Sequence, residues 1–296
     1  MSTSGQEKEL HLRESETGPG ETTNPRVKPP PKSGQERIPV PFSYIPSDDG
    51  TDENLLILLH GLGDTHEPFA KLGKQLKLPQ TAALVLRAPE RIPWLYEEAY
   101  QWYTSFDPVG EPLTNPNPTS ALVLMDKIVT YLATQCKWPL DRIHWFGFGQ
   151  GGTVAVEFGL WWWKEKQLLA AKKSSSSSPA TGSSTANTTT LPTTSFGSVV
   201  TVGGPLLSFP TVLSSLSPTT VLAVSRASPS TLAFTSSDVS AFKRGFRAIK
   251  EEKYKKFDAG MPASRDEWEP IMRFWSERLL RRIGGSGLYE VLSGAS

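Results

Sequence analysis

Short apolar runs alternate with longer segments of helical periodicity along most of the chain, and this alternation limits the fold more than any other feature. Residues 54–60 and 81–89 hold uninterrupted apolar runs, which are typical of parallel strands covered on both faces. Residues 120–136 carry apolar side chains at helical spacing, with Ser120 at the N-cap position. Alternating strands and helices over about 240 residues predict an α/β fold with a mostly parallel sheet and helices on both faces.

The same alternation continues through the second half of the chain. Further strands are predicted over residues 142–149, 196–204, 219–225 and 254–260, and helices over residues 151–171, 238–252 and 266–282. The last helix has an apolar stripe that should face the sheet, formed by Trp268, Ile271, Phe274, Trp275, Leu279 and Leu280.

Polar tracts divide the chain into one domain with tails and an insertion. Residues 1–36 are rich in Gly, Pro, Glu, Lys and Ser, so we expect a disordered tail. Residues 172–195 consist almost entirely of Ser, Thr, Ala and Pro, and predict a flexible insertion. The insertion is either a tolerated loop or a site of regulatory phosphorylation. The domain is expected over residues 37–283, with a C-terminal tail over 284–296.

Charge and cysteine content exclude several classes of protein. With 31 basic and 30 acidic residues the net charge is +1, which does not favour a nucleic-acid partner. Cys136 is the only cysteine, so it cannot form an intramolecular disulfide, and a cytoplasmic location is expected. The polar N-terminus does not resemble a secretory signal, and no apolar run is long enough to span a membrane. The apolar cluster at residues 160–163 should close the buried face of a helix; a role at a membrane surface is the alternative.

Two glycine-rich motifs indicate which chemistry the fold is built for. His60-Gly61-Leu62-Gly63-Asp64-Thr65 follows the first long apolar run directly. Gly147-Phe148-Gly149-Gln150-Gly151-Gly152 lies between a predicted strand and a predicted helix. The second motif has the form of a nucleophile elbow, in which glycines flank a strained central residue and the following N–H faces a developing oxyanion.

Together with Arg87-Ala88-Pro89, Trp102-Tyr103 and Gly260-Met261, these motifs resemble the acyl-protein thioesterase, lysophospholipase and carboxylesterase family. The motifs occur in the family's order, and the resemblance covers roughly residues 40–283 apart from the insertion. It implies an α/β-hydrolase fold and a Ser-His-Asp triad that transfers an acyl group through the serine.

The resemblance places other residues at all three triad positions. The nucleophile position is Gly149, the histidine position is Ala263 and the aspartate position is Ser228. None of the four histidines follows the elbow, and no Asp or Glu lies between Glu165 and Asp238. The family's oxyanion hole would be formed by the backbone N–H groups of Leu62 and Gln150. We therefore predict a pseudoenzyme.

The remaining candidates favour structural roles. His60 is expected to support the oxyanion loop, His66 to lie in a loop, and His144 to be a packing residue within a strand. Cys136 has no basic partner that would activate a thiol. Gly203-Gly204-Pro205 lacks the spacing of a phosphate-binding loop, and we expect neither a cofactor nor a metal.

Three functions remain open at this point. The first is a pseudoenzyme that binds an acyl chain, an acylated protein or another protein partner. The second is an active ester or thioester hydrolase with a displaced catalytic group. The third is a structural paralogue held in a protein complex.

Overall fold

The computed structural model describes residues 12–14, 27–93, 95–176, 195–210, 215–281 and 289–291. Its strands are, in chain order, β1 (Leu12–Glu14), β2 (Phe42–Ile45), β3 (Asn54–Leu59), β4 (Thr81–Leu86), β5 (Glu90–Arg91), β6 (Tyr100–Gln101), β7 (Ile143–Phe148), β8 (Ser198–Val202), β9 (Thr220–Arg226), β10 (Ile249–Tyr254) and β11 (Tyr289–Val291). Its α-helices are α1 (Glu67–Leu76), α2 (Thr119–Thr134), α3 (Gln150–Ser176), α4 (Ser236–Gly245) and α5 (Arg265–Arg278), and a short 3₁₀ helix covers Leu140–Arg142.

A seven-stranded sheet in the order β10-β9-β8-β7-β3-β4-β2 forms the centre of the fold. Six strands are parallel, and β2 pairs antiparallel with β4 at one edge. The pairs β1–β11 and β5–β6 are separate antiparallel ribbons. The carboxyl ends of the six parallel strands meet along one edge of the sheet, where ligands of open α/β sheets bind. The predicted α/β-hydrolase architecture is confirmed.

Helices cover both faces of the sheet and bury it. One core contains apolar side chains of α2, α3 and α4, and the other contains those of α1 and α5. Every residue of β3 and β4 is buried, which explains their uninterrupted apolar runs. In α5 the side chains of Ile271, Phe274 and Trp275 are buried as predicted, whereas Leu280 lies beyond the helix and is 47% exposed.

The boundary between α4 and β10 corrects the sequence prediction. The expected helix over 238–252 ends at Gly245, and the last strand of the sheet is Ile249–Tyr254 rather than 254–260. Four of the six residues of β10 are Lys or Glu, and such a composition also fits a helix. Because β10 lies at the edge of the sheet, it can carry these charges at little cost. There they also disfavour pairing with a strand of another chain.

Three further boundaries differ from the prediction. Residues 27–36 pack on the domain, because the Lys28 N–H donates to Asp52 Oδ2 at 3.3 Å and the Lys32 N–H donates to the Tyr131 hydroxyl at 3.0 Å. Helix α3 continues into the predicted insertion as far as Ser176. Helix α2 begins at Thr119 after the N-cap Pro118, not at a Ser120 cap.

Much of the predicted tails and insertion lies outside the described residues. This holds for residues 1–11, 15–26, 177–194, 282–288 and 292–296. Within the described ranges no helix is long and apolar enough to cross a membrane.

Candidate functional site

A sharp turn joins β7 to α3 at the carboxyl edge of the sheet. Strand β7 ends at Phe148 and α3 begins at Gln150, so Gly149 alone makes the turn. Its φ is +50°, a left-handed value that side-chain-bearing residues adopt only with strain. The Gly149 N–H donates to the Val202 carbonyl at 2.8 Å, which fixes the turn against β8. This is the geometry of a nucleophile elbow.

At Gly147 and Gly151, on either side of Gly149, the backbone leaves no room for a side chain. A Cβ on Gly147 would lie 2.3 Å from the Gly151 carbonyl oxygen, and one on Gly151 would lie 2.4 Å from the His60 carbonyl oxygen. A Cβ on Gly204 would come within 2.5 Å of the Gly149 carbonyl oxygen. A Cβ on Gly149 itself would meet no atom within 4 Å. The elbow is therefore closely packed around its centre, and the centre is open.

The Gln150 side chain ties the elbow to the loop that follows β6. Its Oε1 accepts from the Trp102 N–H at 2.6 Å, and its Nε2 donates to the Tyr103 carbonyl at 2.9 Å and to Ser105 Oγ at 2.7 Å. The side chain is buried, and these three bonds give both its amide oxygen and its amide nitrogen hydrogen-bond partners. The sequence motif contains this glutamine, but its role could not be inferred without the neighbouring loop.

The His60 imidazole holds the loop after β3 in place. Its Nδ1 donates to the Gly61 carbonyl at 2.7 Å, and its Nε2 accepts from the Ala88 N–H at 3.0 Å. The Trp102 indole N–H donates to the His60 carbonyl at 2.9 Å. Burial lowers the pKa of His60 to about 4, so the ring is neutral at pH 7. The predicted supporting role agrees with these contacts.

The two residues expected to form an oxyanion hole follow adjacent strands at this edge of the sheet. Leu62 follows β3 and Gln150 begins α3 after β7, and these strands pair directly. The loop around Leu62 is fixed because the Gly63 N–H donates to the Tyr100 carbonyl and the Tyr100 N–H donates to the Asp64 carbonyl. Within the described chain the backbone N–H of Leu62 donates no hydrogen bond, and that of Gln150 belongs to the unpaired first turn of a helix.

The fold brings the other two predicted positions to the same edge of the sheet. Ser228 lies two residues beyond β9, and Ala263 lies between β10 and α5, directly before the N-cap Ser264. Neither has a side chain that could replace a triad aspartate or histidine. That Gly149, Ser228 and Ala263 line one cleft stays a prediction.

A buried arginine organises the loop that carries Ala263. The Arg226 side chain is fully buried, and its Nη1 lies 2.6 Å from Glu267 Oε1 and 2.9 Å from Asp258 Oδ1. Its Nη2 donates to the carbonyls of Gly260 and Met261 at 2.9 and 3.1 Å.

Glu267 completes the attachment of this loop. Its Oε2 accepts from the Ala263 N–H at 2.8 Å, and its backbone N–H is capped by Ser264. The pKa of Glu267 is lowered, since its hydrogen bonds from Ala263 and Arg226 outweigh the opposing effect of burial. Sequence reasoning missed this cluster, although a single charge at the end of an otherwise apolar strand is a signal that could have indicated Arg226.

His144 and Ser198 form a histidine–serine pair that is too deeply buried to act on a substrate. His144 Nδ1 lies 2.8 Å from Ser198 Oγ, and both residues are completely buried. His144 is the second residue of β7, about 16 Å along the chain from Gly149 at 3.3 Å per residue. Burial lowers the pKa of His144 to about 3, and the residue packs within the sheet as predicted.

Cys136 and His66 also lack the surroundings of a catalytic group. Cys136 is buried, and burial raises the pKa of its thiol. His66 precedes α1 and makes no side-chain capping bond. In the described ranges no group of three His, Cys, Asp or Glu residues could hold a metal ion.

A cavity of about 350 Å³ lies between the start of α2 and the middle of α3. Its wall is mainly apolar and includes Leu122, Leu160, Trp161 and Leu207. Glu157 also lines the cavity, and both of its carboxylate oxygens accept hydrogen bonds from Ser208. Along α3, Glu157 lies about 10 Å from Gln150 at 1.5 Å per residue.

The two buried histidines predict a pH-dependent stability. Both folded-state pKa values lie below 6.5, so the unfolded chain binds more protons between about pH 4 and 6.5, and stability falls as pH falls. From pH 7 to pH 5 we expect each histidine to lower the free energy of unfolding by about 2 kcal/mol. Urea denaturation at the two pH values measures the loss, and His144→Asn should reduce it by about half. Equal stability of the native protein at both values would contradict the burial of these rings.

Comparisons with known proteins agree with this geometry. A sequence model of the phospholipase/carboxylesterase family matches residues 42–198. An uncharacterized hydrolase of Mycosarcoma maydis is 35% identical over 247 residues, which cover 82% of each chain. An uncharacterized hydrolase of Schizosaccharomyces pombe is 34% identical over 127 residues, or 38% of this chain and 52% of that protein. The crystal structure of acyl-protein thioesterase 2 from Zea mays superimposes with a TM-score of 0.54 at 16% identity, over 81% of this chain and 99% of that one.

Proposed function

Because the chain belongs to the phospholipase/carboxylesterase family, we propose that it is a pseudoenzyme of that family, which binds an acylated ligand without hydrolysing it. The ligand is an acyl compound or an acylated protein, and the protein acts in the cytoplasm. The carboxyl edge of the sheet still binds a ligand in such a protein, but the ligand is not hydrolysed.

The observation that carries the proposal is the open centre of the elbow. Gly149 has the left-handed backbone of a nucleophile position and unoccupied space at its Cβ, yet it has no side chain to acylate. The resemblance assigns Ala263 and Ser228 to the base and its partner, and neither residue can move a proton as an imidazole does or stabilise an imidazolium. Backbone N–H groups alone leave about 10³–10⁴-fold acceleration over water. An ester or thioester would survive binding at that rate.

The choice of an acyl ligand rests on two features. The cavity beside α3 has a mainly apolar wall suited to an alkyl chain, and Glu157 in that wall lies about 10 Å along the helix from Gln150. Leu62 and Gln150 lie at the same edge of the sheet, and their backbone N–H groups would suit a carbonyl oxygen in the role that the family resemblance assigns to them. The thioesterase from Zea mays shares the fold and by its name acts on acyl-proteins, which supports an acylated ligand for this chain.

Binding and turnover of p-nitrophenyl octanoate test the proposal. The native protein should bind the ester, seen as a change in tryptophan fluorescence, while p-nitrophenol appears only at the background rate. The variant Gly149→Ser/Ala263→His/Ser228→Asp should hydrolyse the ester slowly, since it regains a nucleophile, a base and a carboxylate. The matched control is Ala263→His/Ser228→Asp, which keeps Gly149 and should stay inactive. Rapid turnover by the native protein would contradict the proposal, and so would a lack of ester binding.

A further inference from the structure

Arg87 is a cation without an anion at the ligand-binding edge of the sheet. It directly follows β4, and within the described ranges its side chain forms neither an ion pair nor a hydrogen bond. Its Nε is buried without a partner, although the side chain as a whole is partly exposed. A partly desolvated guanidinium whose buried Nε has no hydrogen-bond acceptor is costly, since no hydrogen bond offsets the loss of water. Such a group is suited to a ligand that supplies the missing acceptor.

The guanidinium is held in place by an aromatic ring. Its central carbon lies 4.2 Å from the ring centroid of Tyr100, which is itself only 7% exposed. The Tyr100 backbone is hydrogen-bonded to the backbones of Gly63 and Asp64. The ring that supports Arg87 is therefore fixed to the loop after β3. Stacking on a fixed ring reduces the entropy that an arginine loses when it binds.

His66 provides a second unpaired polar atom near this arginine. Its Nδ1 is buried and has no hydrogen-bond partner. Burial lowers the pKa of His66, and the nearby positive charge of Arg87 lowers it further, so the ring is mainly neutral at pH 7. The carboxylates of Asp64 and Glu67 lie within two residues of His66 in the sequence. Among the described residues neither carboxylate forms an ion pair with Arg87.

The position of Arg87 relates it to the elbow. Strand β3 lies between β4 and β7, and Leu59 pairs with both Leu86 and Gly147. Arg87 is therefore level with His60 and two strands away from the elbow, about 10 Å at 4.8 Å per strand. A ligand with its acyl group at the elbow could extend a polar group to this arginine.

We propose that Arg87, held by Tyr100, binds an oxyanion of the ligand, a carboxylate or a phosphate. A guanidinium presents paired donors that match the oxygens of either group, which a lysine or a neutral side chain does not. The inference rests on the proposed acyl-binding function and names the ligand more closely, as an acylated molecule that carries an oxyanion.

Titration calorimetry with octyl phosphate, octanoate and neutral 1-octanol tests the inference. The native protein should bind one or both anions more tightly than octanol, and the tighter anion identifies the source of the oxyanion. Arg87→Gln should weaken anion binding by about tenfold or more and leave octanol binding unchanged. Arg87→Lys should restore only part of the affinity, because it keeps the charge without the paired donors. The matched control is Arg91→Gln, which removes an equal charge from an exposed site nearby and should change the affinity by less than about twofold.

The outcomes separate this inference from the function on which it rests. Equal binding of octanol and both anions, or equal effects of Arg87→Gln and Arg91→Gln, would overturn the oxyanion site and leave acyl binding intact. Failure of all three compounds to bind would overturn acyl binding itself. Thermal melts of each variant should match that of the native protein, which excludes a loss of affinity through unfolding.

Discussion

Gly151→Ala should lower the free energy of unfolding by more than about 4–5 kcal/mol, enough to prevent stable folding of a typical domain. The added methyl group would lie 2.4 Å from the His60 carbonyl oxygen and 2.5 Å from that of Leu59. Both obstacles are backbone atoms at the end of a fully buried strand, so neither can rotate away. The start of α3 would have to move off the sheet, and the elbow would be lost.

Two other glycines provide matched controls for this substitution. Gly149→Ala meets no atom within 4 Å, so only its φ of +50° is unfavourable, and we expect a cost of about 1–3 kcal/mol. Gly159→Ala, in the interior of the same helix, would place its Cβ an ordinary 3.6 Å from Val199 Cγ2 and should stabilise α3 by up to about 1 kcal/mol. Urea denaturation followed by circular dichroism measures all three. If Gly151→Ala were as stable as Gly159→Ala, the described elbow would be incorrect.

Arg226→Met should cost about 3–5 kcal/mol, because it removes the cation from a buried ion pair and leaves Glu267 charged without its partner. The loop at 258–263 would also lose the two hydrogen bonds that Arg226 donates to its carbonyls. We therefore expect increased proteolysis within this loop as well as lower global stability.

A double-mutant cycle isolates the charge from the packing. Glu267→Gln keeps an oxygen that can accept from the Ala263 N–H, and it removes the negative charge. Arg226→Met/Glu267→Gln should therefore be more stable than Arg226→Met alone, since no unpaired charge remains. A cost below about 1 kcal/mol for Arg226→Met, or additive effects of the two changes, would contradict the buried pair.

The strands were predictable from sequence where burial on both faces leaves an uninterrupted apolar run. Residues 54–60 and 81–89 contain β3 and β4 for that reason. Strand β10 was not predicted, because this edge strand of mainly Lys, Glu and Tyr contains no uninterrupted apolar run. Its charged residues are also compatible with a helix. The packing of residues 27–36 depends on single hydrogen bonds to Asp52 and Tyr131, which composition does not reveal.

The elbow was predictable because its glycines are a local requirement of the turn. Spacing alone placed Gly149 at its centre, and the structure adds that the space beside it is open. The roles of Gln150 and Arg226 were not predictable, because their partners lie 45 to 48 and 32 to 41 residues away in the chain. Such partners become neighbours only through the order of the strands.

Labelling by a fluorophosphonate, read by intact-protein mass spectrometry, tests the absence of a nucleophile most directly. The reagent requires an activated hydroxyl or similar nucleophile beside an oxyanion hole. The native protein should acquire no adduct, whereas Gly149→Ser/Ala263→His/Ser228→Asp should acquire one, at position 149. A stoichiometric adduct on any single residue of the native protein would show a working nucleophile and would contradict the pseudoenzyme.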